Sequence, residues 1–240
     1  MSIRIASVNV QFNNHLDRVE NFFNSVRPEV ALLQEVLEVD IPRLVDALGA
    51  TSVHFAPMTR YTVDGLDTLC GTCIFSRLPV THTEIRYYVG DGKDVPMYVP
   101  GRGNTFERAL SYCDIGKNGK TFRIGTTHFT WTPDGDPDEE QWRDLNSLFS
   151  TLDSAGEIVF AGDFNAPRGR GVFSALAERF TDNIPAHYLT SLDPDFHYAK
   201  GLECMVDGLF TTPGYKATGV ELISGVSDHC AVVGNISKIA

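Results

Sequence analysis

The sequence lacks any apolar stretch long enough to cross a membrane, and Met1–Ile5 lacks the charged-then-apolar layout of a signal peptide. We therefore expect a cytoplasmic protein with no membrane span. Internal repeats, low-complexity tracts and composition-biased linkers are also absent. For 240 residues, of which 42% are hydrophobic and 21% charged, these absences predict one globular domain over residues 1–240.

Cysteine is scarce and odd in number, with five residues, which argues against a disulfide framework. Cys70 and Cys73 form a CxxC motif. A redox motif of this kind opens a helix after a strand, whereas this one runs into the strand-like stretch Ile74–Ser76. No second cysteine pair completes a zinc site.

Basic residues are outnumbered, 20 against 31 acidic ones, and the net charge is −11. Such a balance disfavours non-specific wrapping of long nucleic acid, which depends on neutralising phosphates. Phosphate chemistry stays open because a bound divalent cation can invert the local field. No feature of the sequence indicates an obligate protein partner.

The most informative stretch is Glu157–Asn165, in which a short apolar run ends in Gly-Asp-Phe-Asn. The run is typical of a strand buried on both faces, and we expect Gly162 to end it. Asp163 and Asn165 would then lie at the carboxyl edge of a sheet, where ligand-handling groups collect. The alternative is an Asx-turn, in which the two side chains bond their own backbone.

Other predicted strands also carry polar residues at or near their ends. Ile3–Val10 ends near Asn9, Val30–Leu33 ends in Gln34 and Glu35, Thr121–Phe129 carries His128, Met205–Phe210 has Asp207 at its middle, and Asp228-His229 leads into 230–233.

Helical spacing predicts four helices between these strands. The first covers Leu16–Val26, and the second is capped by Asp40 and stopped by Gly49. The third is opened by Asp136–Glu139 and has a buried stripe of Trp142, Leu145, Leu148, Phe149 and Leu152, and the fourth covers Gly171–Phe180.

Further strands are predicted at Val53–Ala56, Thr72–Ser76, Thr81–Val89 and Arg108–Ile115, the last joined to Thr121–Phe129 by an Asn118-Gly119 hairpin turn. Strands follow one another without intervening helices, which favours mixed or antiparallel sheets covered by helices.

The ordered set of motifs resembles the endonuclease/exonuclease/phosphatase superfamily. The matching segments are Ser7–Val10, Leu33–Val36, Gly71–Val80, Thr127–Phe129, Gly162–Asn165, Val206–Phe210 and Ser227–His229, in the family's order and across almost the whole chain. The resemblance implies an α/β (α+β) fold, a deoxyribonuclease-like four-layer sandwich of two packed mixed β-sheets flanked by helices. It also implies a metal-dependent hydrolase that acts on phosphate esters, in which an activated water attacks in line, with Mg²⁺ or Mn²⁺ as cofactor.

The resemblance also implies roles for individual residues. Glu35 would be the main metal ligand, Asn9 would support it through its carbonyl oxygen, and Asp228 would hold or orient the metal shell. Asp163 would take a proton from the attacking water, and Asn165 would fix that water or a phosphate oxygen. His229, charged and oriented by Asp207, would face the phosphoryl oxygens, with His128 as a second donor.

Two positions depart from the abasic-site endonucleases of this family. Gln11 stands where they have an acid, and Thr127-His128 stands where they have a tyrosine, as in the deoxyribonuclease and sphingomyelinase branches. An abasic-site repair role is therefore disfavoured. The preferred function is a phosphodiesterase or nuclease acting on nucleic acid or a small phosphodiester. The alternatives are a phosphomonoesterase for a small metabolite or inositol phosphate, and an inactive binding module on the same fold.

Substrate choice in this family depends on the loops above the site. We predict these loops at Thr59–Leu69, Gly90–Asn104, Phe129–Glu140 and Pro167–Gly171. Tyr61, Tyr98 and Trp131 could stack on a base or a phenol. Arg60, Arg102, Arg168 and Arg170 could bind a second phosphate. Exposed Tyr and Arg are also common in loops that bind nothing.

Overall fold

The computed structural model describes residues 1–99, 102 and 105–239. The strands in this part of the chain are β1 (Ile3–Asn9), β2 (Val30–Leu37), β3 (Ser52–Val63), β4 (Leu66–Ser76), β5 (Val80–Val89), β6 (Arg108–Lys117), β7 (Lys120–His128), β8 (Val159–Asp163), β9 (Thr181–Asp182), β10 (Asp207–Thr211), β11 (Tyr215–Ile223) and β12 (Ala231–Lys238). The helices are α1 (Leu16–Val26), α2 (Ile41–Leu48), α3 (Glu139–Ala155) and α4 (Gly171–Arg179), with a 3-10 turn at Glu38–Asp40.

The strands form two six-stranded mixed sheets. The first sheet has the order β11-β12-β1-β2-β4-β3, and the second has the order β5-β6-β7-β8-β10-β9. Each sheet contains one parallel pair, β1 with β2 and β7 with β8, joined in sequence by α1 and α3 respectively. All other neighbouring strands are antiparallel.

Alternating side chains along the central strands divide the core into three layers. In β1, Ile3 and Ile5 face the second sheet, whereas Ala6 and Val8 face α1 and α2. A third cluster joins the second sheet to α3 and α4. Strands covered on both sides read as continuous apolar runs, as in β8. The four-layer sandwich expected from the sequence is confirmed.

Several predicted element boundaries are confirmed. Helix α1 ends at Val26, and Arg27, which precedes Pro28, takes a left-handed conformation with a φ of 49°. The turn between β6 and β7 has positive φ at both Asn118 and Gly119, as a two-residue hairpin requires. Cys70 and Cys73 both lie within β4 as buried free thiols.

The predicted loop Thr59–Leu69 is wrong, because β3 and β4 form a long hairpin through this region. The two strands extend well beyond the predicted Val53–Ala56 and Thr72–Ser76. Their outer halves are partly exposed and carry Thr, Arg and Tyr, so they lack the apolar run that marks a buried strand. The turn is Asp64-Gly65, with φ of 50° and 80°, a hairpin signal that the sequence did contain.

Trp142 was wrongly assigned to the buried stripe of α3, since 40% of its surface is exposed. Gln141 takes the buried position instead, and its Nε2 donates to the Thr130 carbonyl over 2.7 Å. Asp144 is buried beside it and accepts from the Thr130 hydroxyl over 2.7 Å. The first turn of α3 is therefore held by polar contacts. Strands β9 and β11 were not predicted.

Candidate active site

The two parallel strand pairs bring their carboxyl ends to one edge of the sandwich. Asn9 ends β1 and is in register with Gln34 of β2, while His128 ends β7 and is in register with Asp163 of β8. The Asn9 Nδ2 atom lies 3.2 Å from the Asp163 Oδ2 atom and so connects the two sheets. This edge is the candidate active site.

Glu35 reaches the site from a bulge rather than from a strand end. Strand β2 continues past the predicted end to Leu37, but its register with β4 shifts between Leu33 and Val36. Glu35 has a φ of 57°, the left-handed conformation that such an irregularity demands. The bulge turns its carboxylate to the site, where Glu35 Oε1 accepts from Asn9 Nδ2 over 3.0 Å.

Gly162 lies inside β8, contrary to the expectation that it ends the strand. Its φ is 156°, and a Cβ atom at this position would lie 1.9 Å from the Thr127 carbonyl oxygen. The glycine therefore permits close approach of β7 and β8. Their contact places His128 beside Asp163, with 3.6 Å between the His128 Nε2 atom and the Asp163 Oδ2 atom.

Asp163 uses its two carboxylate oxygens for different purposes. Oδ1 accepts from the backbone N–H of Asn165 over 2.8 Å, which is the Asx-turn weighed as the alternative. Oδ2 faces Asn9, His128 and His229. The Asn165 side chain donates to the Phe129 carbonyl over 2.9 Å, next to His128. The Asx-turn is therefore part of the site, because it fixes the direction in which Asp163 Oδ2 points.

Asp207 and His229 form a buried pair, with 2.7 Å between Oδ2 and Nδ1. The sequence placed Asp207 in the middle of a strand, but it is the first residue of β10. The strand begins there because the backbone N–H groups of Val206 and Asp207 donate to the hydroxyl of Ser191, at 3.1 Å each. The other ring nitrogen of His229, Nε2, lies 3.8 Å from Asp163 Oδ2.

The charges in this cluster perturb one another. Burial raises the pKa of Glu35 to about 7, and the nearby Asp228 and Asp163 carboxylates add to this against the hydrogen bond from Asn9. Burial lowers the pKa of His128 to about 3, opposed by Asp163. Burial also disfavours a charged His229, but the carboxylates of Asp207 and Asp163 outweigh it and raise the His229 pKa well above its usual range. One histidine is therefore neutral and the other charged.

Asp228 lies at the same cluster, buried, with its Oδ1 accepting from the Ser227 hydroxyl over 3.1 Å. Asn9 is oriented differently from the expectation. Its Oδ1 accepts from the Gln11 N–H over 3.0 Å, and its NH₂ group faces the carboxylates. Asn9 is thus placed to position carboxylates by donation rather than to offer its carbonyl oxygen.

The donor set fits a hard divalent cation. Carboxylates converge here in a buried setting, where burial first, and the Asp228 and Asp163 charges after it, raise the pKa of Glu35. Among the described residues, Asp163, Asp207 and His229 each offer one ligand atom within 4.8 Å of one another. In this trio the hydrogen bond between Asp207 Oδ2 and His229 Nδ1 already occupies two of the polar atoms. Glu35, outside this trio, is therefore the better anchor.

Three residues at the site were missed by sequence reasoning. Ser191 and His197 belong to the loop between β9 and β10, which has neither helical nor alternating periodicity. The His197 ring lies 6.3 Å from that of His229, and its Nδ1 accepts from the Ala199 N–H, which leaves Nε2 as the protonated donor of the neutral ring. Burial lowers the pKa of His197. Arg108, fully buried behind the site, donates to the His128 carbonyl over 3.1 Å.

The predicted loop residues divide into two groups. Arg168 pairs with Asp182 at 2.8 Å and Arg170 with Asp136 at 3.3 Å, so both tie their loop to neighbouring segments of the protein. Trp131, Arg60 and Arg102 are exposed. The predicted loop Gly90–Asn104 is confirmed as irregular where it is described, while its residues Pro100, Gly101, Gly103 and Asn104 lie outside the described residues.

Two packed mixed sheets with acidic and histidine side chains converging at their shared edge define a deoxyribonuclease-like α/β sandwich protein. The sequence profile of the Endonuclease/Exonuclease/phosphatase family matches residues 6–229, and the chain belongs to that family. Membership supports a hydrolase of the phosphoesterase or nuclease type, and members are generally dependent on divalent metals. No curated protein sequence matches the chain at a significant level.

Solved structures share the fold at low sequence identity. The endonuclease/exonuclease/phosphatase from Bacteroides vulgatus has a TM-score of 0.77 and 18% identity over 100% of both chains. D. rerio TDP2, complexed with single strand DNA product, has a TM-score of 0.70 and 17% identity over 99% of each chain. The human Nocturnin catalytic domain, with bound sulfate anion, has a TM-score of 0.71 and 16% identity over 99% of this chain and 94% of that one. At such identities the likeness concerns the fold. In the part of the chain that is described, no helix is long and apolar enough to cross a membrane.

Proposed function

We propose that this protein is a divalent-metal-dependent phosphodiesterase, which hydrolyses a P–O bond by in-line attack of an activated water. The observation that carries the proposal is the meeting, at one buried edge, of the Oδ2 atom of Asp163 with the charged His229–Asp207 pair. Phosphoryl transfer needs a base for water and positive charge at the equatorial oxygens. These residues supply both within 4 Å of one another.

Asp163 is the proton acceptor. Its Oδ1 is held by the Asx-turn, so Oδ2 has one fixed direction and faces the site. Asn165 is the positioning residue of this turn, and its amide is fixed to the Phe129 carbonyl. A base so held needs no reorganisation when it takes a proton from water.

His229 is the cationic donor to the phosphoryl oxygens, through Nε2, because Nδ1 is committed to Asp207. His128 is the neutral second donor, and Arg108 holds its backbone carbonyl from below. Asp207 keeps the His229 ring in place and its proton bound. His197 adds a third imidazole above the same edge.

Glu35 and Asp228 would hold a Mg²⁺ or Mn²⁺ ion, with Asn9 positioning the Glu35 and Asp163 carboxylates through its amide. When bound, the cation neutralises the charge of the phosphate ester and of the carboxylate cluster. The substrate is a phosphate ester, either nucleic acid or a small phosphodiester.

The test compares diester and monoester substrates with Mg²⁺ and Mn²⁺. Bis(p-nitrophenyl) phosphate and p-nitrophenyl phosphate release the same coloured product, so their kcat/KM values compare directly. We expect the diester to be preferred. Preference for the monoester would make the protein a phosphomonoesterase, and hydrolysis of neither would contradict the proposal.

A further inference from the structure

An unbroken line of aromatic rings leads away from the candidate active site. We name Phe12, Tyr61, Tyr98 and Phe106 the aromatic wall. Phe106 lies edge-on to His128, with 5.8 Å between ring centroids, and Tyr98 lies 5.7 Å from Phe106. Beyond them Tyr61 and Phe12 stack at 4.3 Å and 18°, each within 6 Å of Tyr98. All four rings are only half-buried, so their outer surfaces are open to a ligand.

Phe12 is held in the wall by strained backbone. Gln11 and Phe12 have consecutive φ values of 52° and 59°, a left-handed conformation that costs about 1–2 kcal/mol for a side chain of this size. The turn is fixed to the site itself, because the Gln11 N–H donates to Asn9 Oδ1 over 3.0 Å. Strain that surrounding contacts maintain next to a site is a mark of function.

The segment that carries Tyr98 is anchored to β3 by backbone hydrogen bonds. Arg60 donates to the Pro96 carbonyl over 2.7 Å, and Tyr98 donates to the Arg60 carbonyl over 2.8 Å. The buried hydroxyl of Thr59 lies 2.9 Å from the Pro96 carbonyl and 2.8 Å from that of Thr105. The wall is therefore formed before any ligand arrives, and little ordering entropy is lost on binding.

We propose that the aromatic wall binds a planar aromatic group, a nucleobase or an aryl ring, that the phosphate-ester substrate carries beside its scissile phosphate. This rests on the proposed function, since the phosphate is placed at His128 and His229. Stacking on aromatic side chains contributes to binding for any planar ring. With a net charge of −11, the protein gains little from long-range phosphate attraction, and ring stacking adds affinity that does not depend on charge.

The test measures binding without turnover. Asp163→Asn protein with Mg²⁺ is titrated calorimetrically with AMP, with ribose 5-phosphate, which carries a hydroxyl in place of the base, and with p-nitrophenyl phosphate as the aryl ligand. We expect AMP to bind about tenfold more tightly than ribose 5-phosphate. The relative affinity of p-nitrophenyl phosphate tells whether the wall favours a base or a phenyl ring.

Variants of the wall locate the effect. In the same Asp163→Asn background, Tyr98→Ala and Tyr61→Leu, which replaces the ring by a smaller apolar side chain, should each reduce the AMP preference at least threefold, whereas Tyr98→Phe should keep it. Trp142→Ala, which removes an exposed aromatic on the outer helix α3, is the control and should leave the preference unchanged. Equal binding of AMP and ribose 5-phosphate together with p-nitrophenyl phosphate binding that both ring-removing variants leave unchanged, or an AMP preference that both variants retain, would overturn the inference.

The two proposals fail separately. Hydrolysis of phosphodiesters without ring-dependent binding would support the proposed function and contradict the role of the aromatic wall. Preferential binding of AMP that depends on Tyr98, in a protein without hydrolytic activity, would support ring binding by the wall and contradict the proposed function.

Discussion

The Nδ1 atom of His229 lies 2.7 Å from Oδ2 of Asp207, and both side chains are buried. This bond determines which ring nitrogen faces the carboxylate cluster, since Nε2 is left 3.8 Å from Asp163 Oδ2. It also keeps the imidazole charged in a buried place. The pair joins the start of β10 to the segment that precedes β12, so it is assembled only in the folded protein.

Asp207→Asn should lower the pKa of His229, because the carboxylate charge that offsets burial is lost while the shape is kept. The imidazolium is present below its folded pKa and is lost as pH rises through it. The alkaline limb of the kcat/KM profile should therefore move to lower pH, with kcat at neutral pH reduced about 10²–10⁴-fold. An NMR titration of His229 gives the pKa directly, and an unmoved alkaline limb would count against a charged His229 in the reaction.

Glu35 gives the metal-free protein a distinct pH dependence. Its folded pKa of about 7 exceeds the usual 4.5, so its contribution to stability is fully present below pH 4.5 and is lost as pH rises through 7. Glu35→Gln should remove this loss and stabilise the metal-free protein at pH 8 by on the order of 3 kcal/mol. Urea unfolding at pH 5 and pH 8 measures it.

The same variant should bind Mg²⁺ or Mn²⁺ far more weakly, since the cation requires the carboxylate form. In the wild type, affinity should fall as pH drops below 7. Glu38→Gln, an exposed acid three residues along, is the matched control for both measurements. Undiminished metal affinity in Glu35→Gln would remove Glu35 from the metal site.

Gly162→Ala should destabilise the fold by about 4 kcal/mol or more, because the added Cβ meets the Thr127 carbonyl oxygen at 1.9 Å. Gly119→Ala separates this clash from backbone strain. Gly119 has a φ of 77° with nothing within 4 Å, and its replacement should cost only about 1–2 kcal/mol. Equal unfolding free energies for the two variants would show that close approach of β7 and β8 is not what requires the glycine.

The sequence placed residues well where they follow an apolar strand. Asn9, His128 and Asp163 each end a buried strand, and parallel pairing brings such ends together. Glu35 was predicted as the end of a strand, but it reaches the site from a bulge, and β2 continues beyond it to Leu37. The bulge depends on the neighbouring strand β4, which local sequence does not show.

The sequence offered Tyr61 and Tyr98 as stacking residues, but it did not show that they form one wall with Phe12 and Phe106. Tyr61 was placed in a loop because the exposed half of β3 has no apolar run, although Asp64-Gly65 marked the turn. Phe12 reaches Tyr98 because Gln11 and Phe12 take a left-handed turn, a conformation that contacts with the rest of the fold maintain. Ser191 and His197 lie in a long segment without periodicity, and their positions depend on bonds to residues far along the chain, such as Asp207.

Ser191→Ala should disturb the site from a distance. The Ser191 hydroxyl accepts the N–H groups of Val206 and Asp207, and its removal leaves two buried donors without this partner. We expect a loss of about 1–3 kcal/mol in unfolding free energy and a lower kcat as Asp207 loses its fixed position. Ser150→Ala, on the exposed side of α3, should change neither. A stability loss with unaltered kcat would limit Ser191 to a structural role.

Hydrolysis of bis(p-nitrophenyl) phosphate by wild-type and Asp163→Asn protein, with Mg²⁺ or Mn²⁺ and after chelation, tests the central claim most directly. Asp153→Asn changes an exposed acid on α3 and serves as the control. We predict activity that chelation abolishes, that Asp153→Asn retains, and that Asp163→Asn lowers about 10²–10⁴-fold. An Asp163→Asn protein as active as the wild type would contradict the assignment of this edge as a phosphoesterase site.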